Sequence, residues 1–259
     1  MGIKSKLKKS SFALSVYYWL KSAGEFFSFG MLGFVKNVNW FLADYFRYKK
    51  LQKENNTIRI KVMLPCLKDK TTNTPIDPIY FYQDTWAAGK IFDTKPAHHY
   101  DVGSSAKTVG LISQFVPTTM IDIRPIELKL NNLFFKEGSI LNLPFADNSI
   151  DSLSSICVIE HIGLGRYGDP LDALGSEKAA AEIQRVVKKE GVILISVPVD
   201  DENKIYFNAN RAFTKEYIIK CFAKCSLVED KYIYGNELTD FYAPEKGFGT
   251  GLFMFRKNN

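Results

Sequence analysis

Hydrophobic and polar positions change period along this chain, and the changes mark out its elements. Residues 57–67 place Ile58, Ile60, Val62 and Leu64 at every second position, the alternation of a half-buried edge strand. A turn-rich stretch, LKDKTTNTPIDP, separates them from residues 79–93, which read as a helix. Short apolar runs at 100–102, 118–121 and 192–197 have the length and character of buried strands. Residues 176–189 carry Ala179, Ala180, Ile183, Val186 and Val187 at helical spacing, with basic residues late and Gly191 just past the end. Residues 214–222 predict a further helix, and 227–234 and 252–255 the last two strands. Such alternation predicts a mainly parallel sheet with helices on both faces.

The joints between these elements carry the chemistry. Asp101 sits at a strand end, and Gly103-Ser104-Ser105-Ala106 is a small-residue turn that opens an apolar helical segment. Small residues let backbone approach a ligand, and a helix start offers unpaired N–H groups. Asp122 ends the next strand roughly 20 residues later, where an acid that holds ribose hydroxyls belongs in a nucleotide-binding βαβ unit. Taken alone, Gly103 reads equally well as a plain loop glycine. A dinucleotide fingerprint would need glycines where Ser105 and Thr108 stand, so a pyrophosphate lacks its closest seat. An adenosine ligand without pyrophosphate, S-adenosylmethionine, is easier to accommodate.

The order of HHYDVGSS, MIDIRP, LPFADNSID, an EH pair and RVVKKEG across residues 98–198 resembles class I S-adenosylmethionine-dependent methyltransferases, particularly the Type 11 group. The finer pattern, including YFY, WAA, IEHIGLGRYGDPLD and GTGLF, is similar to a methyltransferase-like family known as domain of unknown function 268, over roughly residues 57–256. That resemblance implies a Rossmann-like α/β fold with a seven-stranded sheet whose final strand is reversed. It implies that Asp101, Gly103 and Ser105 line the methionine end of the cofactor, that Asp122 takes the ribose, and that Ser139 and Ile140 flank adenine. Val158 to His161 would face the reacting methyl. Ser105 stands where family members carry a second glycine, and Ser139 where many carry an aspartate; losing that ionised acceptor costs on the order of 1 kcal/mol.

Methyl transfer to a hydroxyl needs alignment and a base. His161, after the fourth strand at the carboxyl edge of the sheet, is the natural base, with Glu160 beside it; the competing reading is that both fix the loop. His98 and His99 fall at the opposite edge and read as structural. In the loop that follows, Arg166, Tyr167 and Asp169 bring a cation, a ring and an acceptor to one rim, suited to a phosphorylated or sugar-like acceptor. An Arg166–Asp169 pair within the loop explains the same residues. Asn208 and Arg211 could reach that rim or cap the next segment. The reading is a methyltransferase acting on a carbohydrate or glycolipid acceptor in surface-polysaccharide metabolism; the alternative is a cofactor-free binding or scaffold protein in polysaccharide assembly.

Charge then divides the chain. In the first fifty residues nine basic side chains face only Glu25 and Asp44, a balance of +7 that leaves about −1 of the overall +6 for the remainder. Nucleic acid is therefore not an expected partner. The segment is rich in aromatics, but Lys21 and Glu25 interrupt it before the ~20 apolar residues of a membrane span. Nor does it show a signal-peptide core, and Lys6 stands where a myristoylation motif needs Ser or Thr. Two helices, at about 10–22 and 30–50, would lie on an anionic leaflet or pack on protein. The division is a basic helical segment, 1–54, and an α/β domain, 55–259, joined near Glu54-Asn55-Asn56. The four cysteines lack metal-ligand spacing with the three histidines, so no metal site is expected and a reducing cytoplasm is the implied location.

Overall fold

The structure, a computed structural model, describes residues 11–23, 26–52 and 57–258. The Glu54–Asn56 linker and Lys4, Lys6, Lys8 and Lys9 lie outside the described residues. The chain divides into two compact units, Met1–Pro75 and Ile76–Asn259.

The first unit holds helices α1 (Ser11–Ala23) and α2 (Phe26–Leu51), the latter broken at Gly30, where φ is 67°. Trp19 meets Phe41 edge-on at 5.5 Å. Phe12, Val16 and Leu20, one turn apart along α1, are all exposed. Residues 57–67 form no strand, contrary to the alternation. Period two gives a strand only where a neighbouring strand supplies ladder bonds. Here the backbone groups go to side chains instead: Met63 N donates to Ser15 Oγ at 3.0 Å, and Asn37 Nδ2 donates to the Leu67 carbonyl at 3.0 Å.

The second unit begins with α3 (Pro78–Thr94), whose start is written in the sequence. Asp77 caps it by accepting from Ile79 N and Tyr80 N, and Pro78 takes the position where a missing N–H costs nothing. Asp77→Ala is expected to destabilise the unit by about 1 kcal/mol, read as a lower urea midpoint with unchanged slope.

Strand β1 (His99–Val102), α4 (Ala106–Ile112), β2 (Thr118–Asp122), β3 (Leu133–Glu137) and β4 (Ile150–Ile156) follow, then α5 (Gly175–Val186) and β5 (Val187–Val199). A short hairpin, β6 (Lys204–Tyr206) and β7 (Asn210–Ala212), precedes α6 (Lys215–Cys221), β8 (Cys225–Tyr234), β9 (Glu237–Thr239) and β10 (Gly249–Lys257). The main sheet runs β3-β2-β1-β4-β5-β10-β8-β9. Pairing is parallel from β3 to β5, while β10 is antiparallel to both its neighbours. The sheet thus has eight strands where seven were expected, because β9 turns back onto β8 through Tyr232 opposite Thr239. α5 stops at Val186, three residues short of the expected end: Val187 already pairs with Ile150 of β4, and Glu190 takes φ 63° as the chain turns.

Two cores form because each central strand presents alternate residues to opposite faces. Phe253 and Phe255 of β10 join Ile183 of α5 and Ile218 of α6, whereas Leu252 and Met254 join Trp86 and Ile91 of α3 and Ile112 of α4. His99, the first residue of β1, is fully buried, its Nδ1 and Nε2 2.8 and 2.9 Å from Ser152 Oγ and Ser154 Oγ of β4. Burial pushes its pKa down to about 3, so the imidazole is a neutral structural strut.

Candidate functional site

The carboxyl ends of β1, β2 and β4 converge, as open α/β sheets require of a ligand site. Asp101, 1% exposed, does not face the opening. Its carboxylate accepts from Ser104 N at 3.1 Å, Ser104 Oγ at 2.7 Å and Ser154 Oγ, and Ser104 Oγ in turn accepts from Ile156 N. Asp101 therefore ties the turn to β4, and burial raises its pKa to about 6. Gly103 takes φ +74°, and a Cβ there would stand 3.0 Å from Val158 Cγ1, so the turn leaves a cradle only glycine keeps open.

Two adjoining clefts result, of roughly 120 and 530 Å³. Ser139, Ile140, Leu141, Val158, His161 and Asp169 line the smaller; Tyr80, Gln83, Ser104 and Ser105 line the larger. Gly103, Asp122, Arg124, Cys157 and Tyr167 border both. Asp122 accepts from Arg124 N at 2.8 Å, Arg124 Nε at 3.3 Å and Arg124 Nη2 at 3.4 Å. Ser139 Oγ accepts from Leu141 N at 3.2 Å, while buried Ile140 adds apolar wall. Beneath them Cys157 donates to Gln83 Oε1 at 2.9 Å; burial raises its thiol well above the usual range, which leaves it a protonated donor rather than a nucleophile.

His161 has a defined orientation. Its Nδ1 lies 2.7 Å from the Ala209 carbonyl, which can only accept, so the proton sits on Nδ1 and Nε2 keeps its lone pair. Burial is the largest cause of its lowered pKa, and the ring is neutral at pH 7. Glu160 is 1% exposed, with Oε1 3.6 Å from His161 Nε2 and Oε2 without a hydrogen-bond partner among the described residues. Burial pushes its pKa from 4.5 up to about 8, so it is protonated at neutral pH. A carboxyl whose folded pKa lies above its unfolded one contributes most stability below about pH 4.5 and loses it as pH rises through about 8; Asp101 has the same sign. Glu160→Gln, neutral throughout, is expected to flatten the fall in thermal midpoint between about pH 6 and 8. An unchanged slope would mean that the carboxyl is ionised in the folded chain.

The loop after the EH pair is stapled internally. Asp169 accepts from Gly163 N at 2.6 Å and Tyr167 N at 3.3 Å, so it does not pair with Arg166. Arg166 Nη1 instead donates to the Ala209 carbonyl at 2.8 Å, beside His161. Arg211 is buried away from the rim, donating to the carbonyls of Ile162 and Asp172 and to Ser176 Oγ; it positions the loop. Asn208 is exposed and lines neither cleft. Sequence reasoning brought Gly103, Ser105, Asp122, Ser139, Ile140, Val158, His161, Tyr167 and Asp169 to one place, and missed Tyr80, Gln83, Arg124 and Cys157. The spacing of Arg124 from Asp122, and the polar Gln83 on the otherwise apolar start of α3, were the available signals.

Residues 120–228 match the model of the family described as "Caenorhabditis protein of unknown function, DUF268". No curated protein matches the chain. Among solved structures, a candidate sarcosine dimethylglycine methyltransferase from Galdieria sulphuraria is similar over 69% of this chain and 86% of its own, at 19% identity and TM-score 0.52. The 1,6-didemethyltoxoflavin-N1-methyltransferase of Burkholderia thailandensis, with bound 1,6-didemethyltoxoflavin and S-adenosylhomocysteine, is similar over 68% and 79%, at 15% and 0.52. The 4+2 cyclase SpnF is similar over 68% and 81%, at 13% and 0.51. The α/β unit has the class I methyltransferase fold.

Proposed function

We propose that the chain is an S-adenosylmethionine-dependent methyltransferase that acts on a hydroxyl of a carbohydrate or glycolipid acceptor in the cytoplasm. The observation that carries the reading is a pair of adjoining clefts that share a ribose-type acid and bring an apolar slot beside a neutral imidazole whose Nε2 makes no hydrogen bond among the described residues. The donor set fits the cofactor. Asp122 offers two carboxylate oxygens to a diol, Ser139 and Ile140 would flank an adenine ring, Val158 would face the reacting methyl, and the Gly103 cradle admits the ligand close to backbone. Bound there, the cofactor supplies an electrophilic methyl group on a sulfonium. His161 Nε2 accepts the proton of the acceptor hydroxyl, while the Ala209 carbonyl fixes the ring tautomer and stabilises the imidazolium that forms. Glu160, protonated at neutral pH with Oε1 3.6 Å from Nε2, is a neutral neighbour of the ring.

Calorimetric titration with S-adenosylmethionine and S-adenosylhomocysteine tests this reading, with saturable binding at one site per chain as the expected result. A folded chain that binds neither at millimolar ligand would leave the cofactor-free scaffold as the better reading.

The same proposal gives the first unit a peripheral membrane role. Among the described residues no helix is long and apolar enough to cross a bilayer. Phe12, Val16 and Leu20 form an exposed stripe on α1, and α2 exposes Met31, Leu32 and Val35 together with Lys36, Arg47, Lys49 and Lys50. Apolar stripes with lysines favour an anionic leaflet. Co-sedimentation with phosphatidylserine vesicles is expected at low salt and to fall for Leu20→Glu; binding equal in wild type and variant would remove the idea.

A further inference from the structure

We propose that the acceptor carries an oxyanion close to the hydroxyl that is methylated, and that Arg166 and Arg124 hold it over the Tyr167 ring. The inference rests on the methyltransferase reading above and narrows its acceptor. Arg166 is exposed, and among the described residues it forms no salt bridge; its hydrogen-bond contacts are the Ala209 carbonyl at 2.8 Å and the nearby imidazole at 3.5 Å. The acids around it are otherwise engaged. Asp169 is committed to two backbone N–H groups, and Glu160 is buried and protonated. A guanidinium without a salt bridge among the described residues, beside the His161 and Tyr167 that line the smaller cleft, is a seat for an anion.

Geometry places that seat next to the base. The guanidinium carbons of Arg166 and Arg124 lie 5.1 and 4.9 Å from the centre of the Tyr167 ring, and the His161 ring meets the same tyrosine edge-on at 5.4 Å. A guanidinium beside an aromatic face keeps for a ligand those in-plane N–H donors that the protein does not already use, which for Arg166 excludes Nη1, bound to the Ala209 carbonyl. Arg124 presently spends its donors on Asp122. Ribose hydroxyls that claim Asp122 would release Arg124, so cofactor binding adds a second available guanidinium to that of Arg166. Two guanidinium forks bordering one ring offer bidentate donors to phosphate, sulfate or carboxylate, which a neutral sugar cannot exploit.

The test titrates the full chain with glucose 6-phosphate, glucuronate and glucose, each with and without saturating S-adenosylhomocysteine, by calorimetry or amide chemical shift. The charged sugars, or one of them, are expected to bind about tenfold or more tightly than glucose, and more tightly still with S-adenosylhomocysteine present. Binding of glucose 6-phosphate alone would assign a phosphoryl group, and of glucuronate alone a carboxylate. Arg166→Ala and Arg166→Gln should each lower that affinity about tenfold while leaving S-adenosylhomocysteine affinity intact. Glucose binding as well as its charged relatives, no binding of any of the three, or undiminished affinity in both variants would overturn the inference. If S-adenosylhomocysteine itself does not bind, the methyltransferase reading falls, and the anion site is still judged at Arg166 on the ligand-free chain.

Discussion

Asp122→Ala is expected to weaken S-adenosylhomocysteine binding roughly 100-fold, and calorimetry would read the loss directly. A carboxylate that accepts from two ribose hydroxyls makes two charge-assisted bonds, each contributing about 1.5–3 kcal/mol. Against that stands the bond set Asp122 already has, since Arg124 N, Nε and Nη2 all donate to it in the free chain. The ligand must displace the side-chain part of that set, so the net contribution falls to about 3 kcal/mol, the origin of the 100-fold figure. A companion variant gives the opposite sign: Arg124→Ala removes the competitor and should tighten the ligand severalfold. Equal affinity in wild type and Asp122→Ala would place the ribose elsewhere and undo the cofactor assignment.

His161→Ala should lower the rate of methyl transfer by about 10²–10⁴-fold, the usual worth of a positioned general base, with cofactor affinity unchanged. The prediction separates chemistry from binding because His161 Nδ1 is held by the Ala209 carbonyl while Nε2, 3.6 Å from Glu160 Oε1, forms no hydrogen bond among the described residues. Its pKa is lowered, so the wild-type rate should stay level across neutral pH and drop only on acidification, when the ring takes up a proton and loses its lone pair. The residual rate of the alanine variant should lose that acid limb. With turnover followed by a labelled methyl group, retained rate in the variant would reduce His161 to a structural strut, as His99 is in β1.

What was legible in the chain depended on where the physical cause lies. The starts of α3 and α6 were readable because Asp77 and Thr214 cap them with their own side chains, a cause contained within four residues. Asp122 and His161 could be placed at the carboxyl edge because the first closes β2 and the second lies in the short turn after β4. Residues 57–67 were misread because a strand needs a partner, and no local pattern announces that Ser15 and Asn37 will take those backbone groups instead. Short β3, β6, β7 and β9 went unseen for the same reason. Arg211 looked like a rim residue until three oxygens from Ile162, Asp172 and Ser176 closed around it. Arg124 escaped because its significance is relational: it matters through the acid two residues before it and the ring of Tyr167, 43 positions later, over which it lies.

The position of β10 also governs how the sheet can assemble. It lies between β5 and β8, so Gly249 must find Val199 and Phe255 must find both Ile193 and Leu227 before the antiparallel half closes. Until then both β5 and β8 present unsatisfied strand edges, and Phe253 and Phe255 have no interior to enter. Pairings this distant in sequence are slow to form, because the chain must surrender the entropy of the intervening loop first. The parallel half, β3 to β5, can form beforehand, and the partly assembled chain is then the species most prone to stick to its own kind.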